Sequence, residues 1–227
     1  GRATVSNTWS PHVAVLFGDY VFATSATFVC DTNNIRVIRR FSETIMELAS
    51  GQLMEYFTAF DASHARDIYS DRIYRKTASL FCTASESGAV LGEAPEHEVQ
   101  ALRDYGYNIG MAFQVCDDLL DFQGDASNLG KPVGNDLLNG VLTLPTIMLM
   151  ERYPNDDLVQ SLFKDRSNDK KLQKVVEVIN DSTIWDDCER VVQGYSDKAC
   201  QALRVLPDCE PKRSLIELAH YITARRR

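Results

Sequence analysis

Apolar residues recur at three- and four-residue intervals along nearly the whole chain, as in Val13, Leu16, Phe17, Tyr20 and Val21. Few segments alternate with a period of two, so strands are not expected. The pattern predicts helices over about 11–30, 35–61, 64–92, 95–123, 139–152, 155–164, 168–180, 183–205 and 211–224. Asp31-Thr-Asn-Asn34 separates the first two, and Gly92-Glu-Ala-Pro95 marks a turn with Pro95 placed to open the next helix. The longest stretch without helical periodicity runs from Gln123 to Asn139 and holds Gly124, Gly130, Pro132 and Gly134. A loop of that length in a helical domain points to function. The fold class expected is all-α, a single helical-bundle domain over 1–227.

Composition narrows the partners. The 227 residues are 44% hydrophobic and 25% charged, enough for one sizeable core. A net charge of −8 argues against nucleic acid as a partner, since phosphate backbones attract basic faces. It leaves room for a small phosphorylated ligand held by a few local cations or metals. The six cysteines, at 30, 82, 116, 188, 200 and 209, show no CxxC spacing and mostly fall in apolar helical segments. They read as reduced core residues of a cytoplasmic protein. No apolar run is read as approaching the roughly 18 to 20 residues that span a bilayer, so no stable membrane insertion is expected. Arg225-Arg-Arg227 reads as a basic helix end favoured by the dipole.

The segment richest in chemistry is Phe113-Gln-Val-Cys-Asp-Asp-Leu-Leu-Asp121. Asp117 and Asp121 are four apart and share a helix face; Asp118 adjoins them, and Gln114, three before Asp117, points to a similar side. Three carboxylates this close repel one another unless cations neutralise them. Met111, Ala112, Val115, Cys116, Leu119, Leu120 and Phe122 make the helix apolar nearly all round, which predicts burial. Buried carboxylates need partners, and hard oxygen donors suit Mg²⁺ bridging to phosphates. A solvated acidic face is the plainer alternative, but an apolar helix running into a Gly-rich loop does not favour it.

Two lysines add candidate contacts for an anion. Lys131 follows Gly130 within the loop, and Asp136 lies five beyond it. A lysine ammonium is a compact charge suited to a phosphate oxygen. Arg75-Lys-Thr77 opens a segment of small residues fit for close packing, from which Lys76 and Thr77 could reach an anionic ligand. Taken singly, either lysine would read as an ordinary surface residue.

Taken together, these segments resemble the trans-isoprenyl diphosphate synthase (polyprenyl synthetase) family. The matching pieces are Val15-Leu-Phe-Gly-Asp-Tyr-Val-Phe-Ala23, Arg75-Lys-Thr-Ala-Ser-Leu-Phe81, Gly110 to Asp121, Gly130-Lys-Pro-Val-Gly-Asn-Asp136 and Gly140-Val-Leu-Thr-Leu-Pro145. The likeness covers about residues 1–150 by motif and the remainder by helical character. It implies the isoprenoid synthase bundle with a central substrate cavity. It also implies condensation of isopentenyl diphosphate with an allylic diphosphate to a longer all-trans product, by Mg²⁺-assisted ionisation to an allylic cation. By the same resemblance Asp117, Asp118 and Asp121 bind Mg²⁺, Lys76 and Lys131 bind diphosphate, and Thr77 and Gln114 line the reaction centre. Asp136 is an acidic residue of the same loop. Phe113, Phe17 and Tyr20 fit hydrocarbon walls, with plain apolar core the leading reading for each. A homodimer is implied.

The family's first aspartate-rich motif and its arginine pair have no counterpart here. The chain is therefore expected to be an N-terminally incomplete piece lacking the first helices. The alternative is a non-catalytic or regulatory subunit of a heteromeric synthase. Smaller departures are Trp9-Ser-Pro-His12 and Gly51-Gln-Leu-Met-Glu55, where the family often has an acidic residue after the glycine.

Overall fold

The computed structural model describes residues 3–63, 65–123, 133–164 and 169–224, and among them no strand occurs. Lys131, its neighbours Gly130 and Pro132, and the basic tail Arg225–Arg227 lie outside the described residues. The helices are α1 (Val5–Thr8), α2 (Pro11–Asp31), α3 (Ile35–Phe57), α4 (Ala65–Ile73), α5 (Ser79–Leu91), α6 (Glu96–Leu120), α7 (Asn135–Leu138), α8 (Leu144–Arg152), α9 (Leu158–Lys164), α10 (Asp169–Asp181), α11 (Ile184–Ala202) and α12 (Glu210–Ala224). Caps explain several boundaries. Ser10 accepts from the Val13 amide and Pro11 sits at the first turn of α2, while the Asn34 side chain accepts from the amides of Arg36 and Val37 to open α3.

The expected helix over 64–92 is in fact two α-helices separated by a π turn, Tyr74–Ala78. That widened turn rotates the side chains after it relative to those before, and periodicity alone carries no sign of it. The expected helix over 139–152 starts at Leu144. The chain first turns through Gly140, at φ +79°, after a short helix within the loop. The 35–61 element stops at Phe57, and Phe60 takes a left-handed conformation at φ +67°.

Helix α6 is the axis of the molecule, packed between α5 and α11. Its Ile109, Met111, Val115, Cys116 and Leu119 join one core with Tyr69, Ile147, Val175, Ile179, Cys188, Val192 and Leu203. Helix α2 departs from the sequence expectation. It is long and apolar enough to cross a membrane by length and composition, with an 18-residue window of mean hydropathy 1.6, yet none of it is buried here. Interspersed Gly, Ser and Thr disguise the run in a residue-by-residue reading. Phe17 and Tyr20, expected in the core, are 50% and 70% exposed on it. Of the cysteines, all are free; Cys82, Cys116 and Cys188 are buried, but Cys30 at the end of α2 is exposed rather than in the core.

Candidate active site

Glycines bring three backbones together around the π turn. A Cβ on Gly51 of α3 would lie 2.7 Å from the Lys76 amide nitrogen, and one on Gly110 of α6 would lie 2.6 Å from the Ala78 Cα. Only glycine permits such approaches. Lys76 and Thr77 are thereby fixed between the C-terminal half of α3 and the C-terminal half of α6. Such π turns occur often at functional sites.

From this turn a hydrogen-bonded chain crosses to the acidic end of α6. The Thr77 hydroxyl donates to the Gln114 carboxamide oxygen over 2.6 Å. The Gln114 nitrogen donates to Asp118 Oδ1 over 2.8 Å, and the Tyr69 hydroxyl donates to Asp118 Oδ2 over 2.7 Å. Gln114 thus pairs with Asp118, its i+4 neighbour, rather than with Asp117. Arg72, buried beneath the site, donates to the Leu142 carbonyl over 2.6 Å and lies 5.7 Å from the Tyr69 ring centre.

The three aspartates have distinct environments. Asp118 is buried, Asp117 is exposed, and Asp121 is half-buried just past the helix end. Burial lifts the Asp118 carboxyl to about 7 despite the bonds from Tyr69 and Gln114. Burial also lifts Asp121 to about 6, with the charges of Asp136 and Asp117 adding to the rise. The loop clamps onto Asp121: the Gly134 amide donates to its carbonyl over 2.8 Å and the Asp136 amide to its Oδ2 over 3.1 Å. Asp136 is itself raised, by burial and then by Glu55, and drawn down by Lys76. Lys76 holds Glu55 of α3, its Nζ lying 2.7 Å from each carboxylate oxygen. Phe113 packs at 5.5 Å from Phe81, on the edge of the core.

Asp117, Asp121, Asp136, Glu55 and Lys76 therefore share one electrostatic neighbourhood, with Thr77 and Gln114 alongside. Among the described residues no three acidic, His or Cys groups already converge on a metal-binding point. The donor set nonetheless fits a hard divalent cation. The neighbouring negative charges add to the rise at Asp121 and Asp136, and a cation in their midst would relieve that repulsion. Tyr69, Arg72 and Glu55 escaped the sequence reading. Tyr69 and Arg72 lie three apart on α4, seven and four residues before Lys76, a sequence spacing that could have flagged the first two. Nothing local marks Glu55 except its place in the departing Gly51–Glu55 segment.

A family model described as polyprenyl synthetase matches residues 1–179. A prenyl transferase from Synechocystis sp. is 33% identical over 98% of this chain and 68% of its own length. Among solved structures, a decaprenyl diphosphate synthase from Rhodobacter capsulatus superposes with a TM-score of 0.91 at 34% identity, over 100% of this chain and 71% of that one. A polyprenyl synthase from Caulobacter crescentus CB15, complexed with calcium and isoprenyl diphosphate, gives 0.91 at 30% identity over 100% of this chain and 70% of that one. The chain thus spans about two thirds of the length of the proteins it resembles.

Proposed function

The chain belongs to the polyprenyl synthetase family, and on that premise we propose that it condenses isopentenyl diphosphate with an allylic diphosphate to give a longer all-trans polyprenyl diphosphate. Its relatives and structural neighbours are transferases of prenyl groups with the same all-helical isoprenoid synthase fold. The observation that carries the reading is the docking of the Asp136 amide on Asp121 Oδ2, 3.1 Å away, which sets Asp136 beside the acidic end of α6 and within electrostatic reach of Asp117 and Lys76.

Asp117 and Asp121, backed by Asp136, would hold Mg²⁺. Asp118 would have to release Tyr69 to join them, and until then it orients Gln114. Bound there, the cation supplies Lewis-acid withdrawal of charge from the allylic diphosphate. Lys76 brings a positive charge to the same leaving group, a preorganised electrostatic contribution. By the resemblance, Lys131 would do the same. Thr77 and Gln114, already bonded to each other, present a fixed polar wall, and Phe113 keeps water from the carbon end of the substrate. This chemistry needs no protein nucleophile.

Homodimerisation fits the exposed apolar face of α2, where Leu16, Phe17, Tyr20 and Phe28 are each at least half exposed. A patch of that kind marks an interface, and a second copy would cover it. The free thiols are consistent with work in the cytoplasm. The activity is tested by assaying the complete encoded protein with isopentenyl and allylic diphosphates, with and without Mg²⁺. Elongated product that requires the cation supports the reading. An absence of transfer, or transfer only with a second, different subunit, counts against it.

A further inference from the structure

We infer that Glu55 is a positioning residue that occupies Lys76 in place of the substrate diphosphate, so that the incoming ligand must displace it. The inference rests on the proposed function, since it takes Lys76 as a diphosphate contact.

The geometry is that of a substituted ligand. Both Glu55 oxygens lie 2.7 Å from Lys76 Nζ, so one ammonium is shared between two anionic oxygens, as it would be on a diphosphate. The Glu55 side chain is 17% exposed and that of Lys76 39%, so the lysine reaches inward to a more buried carboxylate. Gln52 donates to Glu55 Oε1 over 3.1 Å and steadies it. The close approach of Gly51 to the Lys76 backbone fixes the separation of the two chains one turn away from the pair. Lys76 therefore has a protein partner, and an incoming anion must compete with that carboxylate for its charge.

The exchange has a definite consequence. Glu55 opposes diphosphate twice, by holding its cation and by adding negative charge beside Asp136. Removing the Glu55 charge while keeping its shape should tighten anion binding rather than weaken it. A carboxylate that ligated the metal directly would have the opposite effect. One that merely formed a surface ion pair would have almost none.

The test measures binding of inorganic pyrophosphate with Mg²⁺ to the complete protein by titration calorimetry. The variants are wild type, Glu55→Gln, Lys76→Ala and the double variant, with melting curves to confirm that each is folded. Glu55→Gln should bind pyrophosphate about fivefold more tightly than wild type, the size expected for a partly exposed ion pair. That gain should vanish in the Lys76→Ala background. Equal or weaker binding by Glu55→Gln overturns the inference, as does the same gain without Lys76, which would be a general charge effect. In either case pyrophosphate still binds and the proposed function stands. Failure of pyrophosphate to bind any variant overturns both.

Discussion

Gly110 and Ala78 meet backbone to backbone: a Cβ on Gly110 would come within 2.6 Å of the Ala78 Cα. Neither atom belongs to a flexible side chain, so the contact can yield only by moving α6 away from the π turn. That turn carries Lys76 and Thr77, so the distance sets the position of the residues facing the aspartates.

Gly110→Ala should therefore destabilise the protein by about 1–3 kcal/mol, as overpacking does, and should reduce transferase activity further than the lost stability explains. Gly88 of α5 is the control. A Cβ there meets nothing within 4 Å, and Gly88→Ala should stabilise by about 0.5–1 kcal/mol through helix propensity. Thermal melts of the two variants, side by side, check the contrast; a neutral Gly110→Ala would show that the helices can separate freely.

The helices themselves were legible because apolar residues at three and four dominate α3, α6 and α11. The ordered motifs also pointed to Thr77, Gln114 and Asp118, which one hydrogen-bonded chain joins, and to Lys76, Asp117 and Asp121. What periodicity missed has physical causes. A π turn changes side-chain direction without changing composition, so 64–92 read as one helix. Burial distinguishes Asp118 from Asp117 although they are adjacent, because one faces Tyr69 and the other faces out. Glu55 is marked only by its partner, 21 residues away in sequence. The apolar face of α2 reads as core in a lone sequence because a sequence does not say what lies against a face.

The acidity of the site should appear in stability. Asp118 at about 7 and Asp121 at about 6 both stand above the ordinary 3.8. A carboxyl raised by folding favours the protonated form of the native state. Its contribution is thus complete below about pH 4 and is lost as pH climbs to about 7. In urea titrations without divalent cations, the wild-type midpoint should lose this contribution across that window. Asp118→Asn should lack most of it, so the wild-type minus variant difference isolates the group. A pH-independent difference would contradict the burial of Asp118. Protons also compete with metal, so Mg²⁺ affinity should rise over the same window.

A buried ion cluster ties α3 to α5 and α6. Glu86 is 6% exposed, with Arg36 at 3.0 Å, Arg103 at 3.8 Å and Arg40 at 3.9 Å. Glu86→Ala removes the carboxylate shared by the three arginines, although Arg40 keeps its two hydrogen bonds to Glu47, and should cost about 2 kcal/mol. Arg36→Ala, at a half-exposed position, should cost about 1 kcal/mol or less. Urea midpoints at neutral pH distinguish the two, and equal losses would show that the cluster does not act as a buried network.

Catalysis should separate the aspartates. Asp117→Ala should lower turnover at least about 100-fold with an unchanged melting temperature, because the side chain is exposed and lies beside the proposed metal site. Asp118→Ala should lower turnover as well but also destabilise, because it leaves Tyr69 and Gln114 without their acceptor. Paired kinetic and melting measurements check this, and near-wild-type turnover in Asp117→Ala would remove that residue from the metal site.

The most direct measurement is anomalous scattering from manganese in crystals of the complete protein grown with Mn²⁺ and inorganic pyrophosphate. The account predicts a manganese peak on the carboxylate oxygens of Asp117 and Asp121, with pyrophosphate between it and Lys76. Manganese and pyrophosphate found elsewhere, with the Asp117 and Asp121 carboxylates bare and Lys76 still on Glu55, would contradict it.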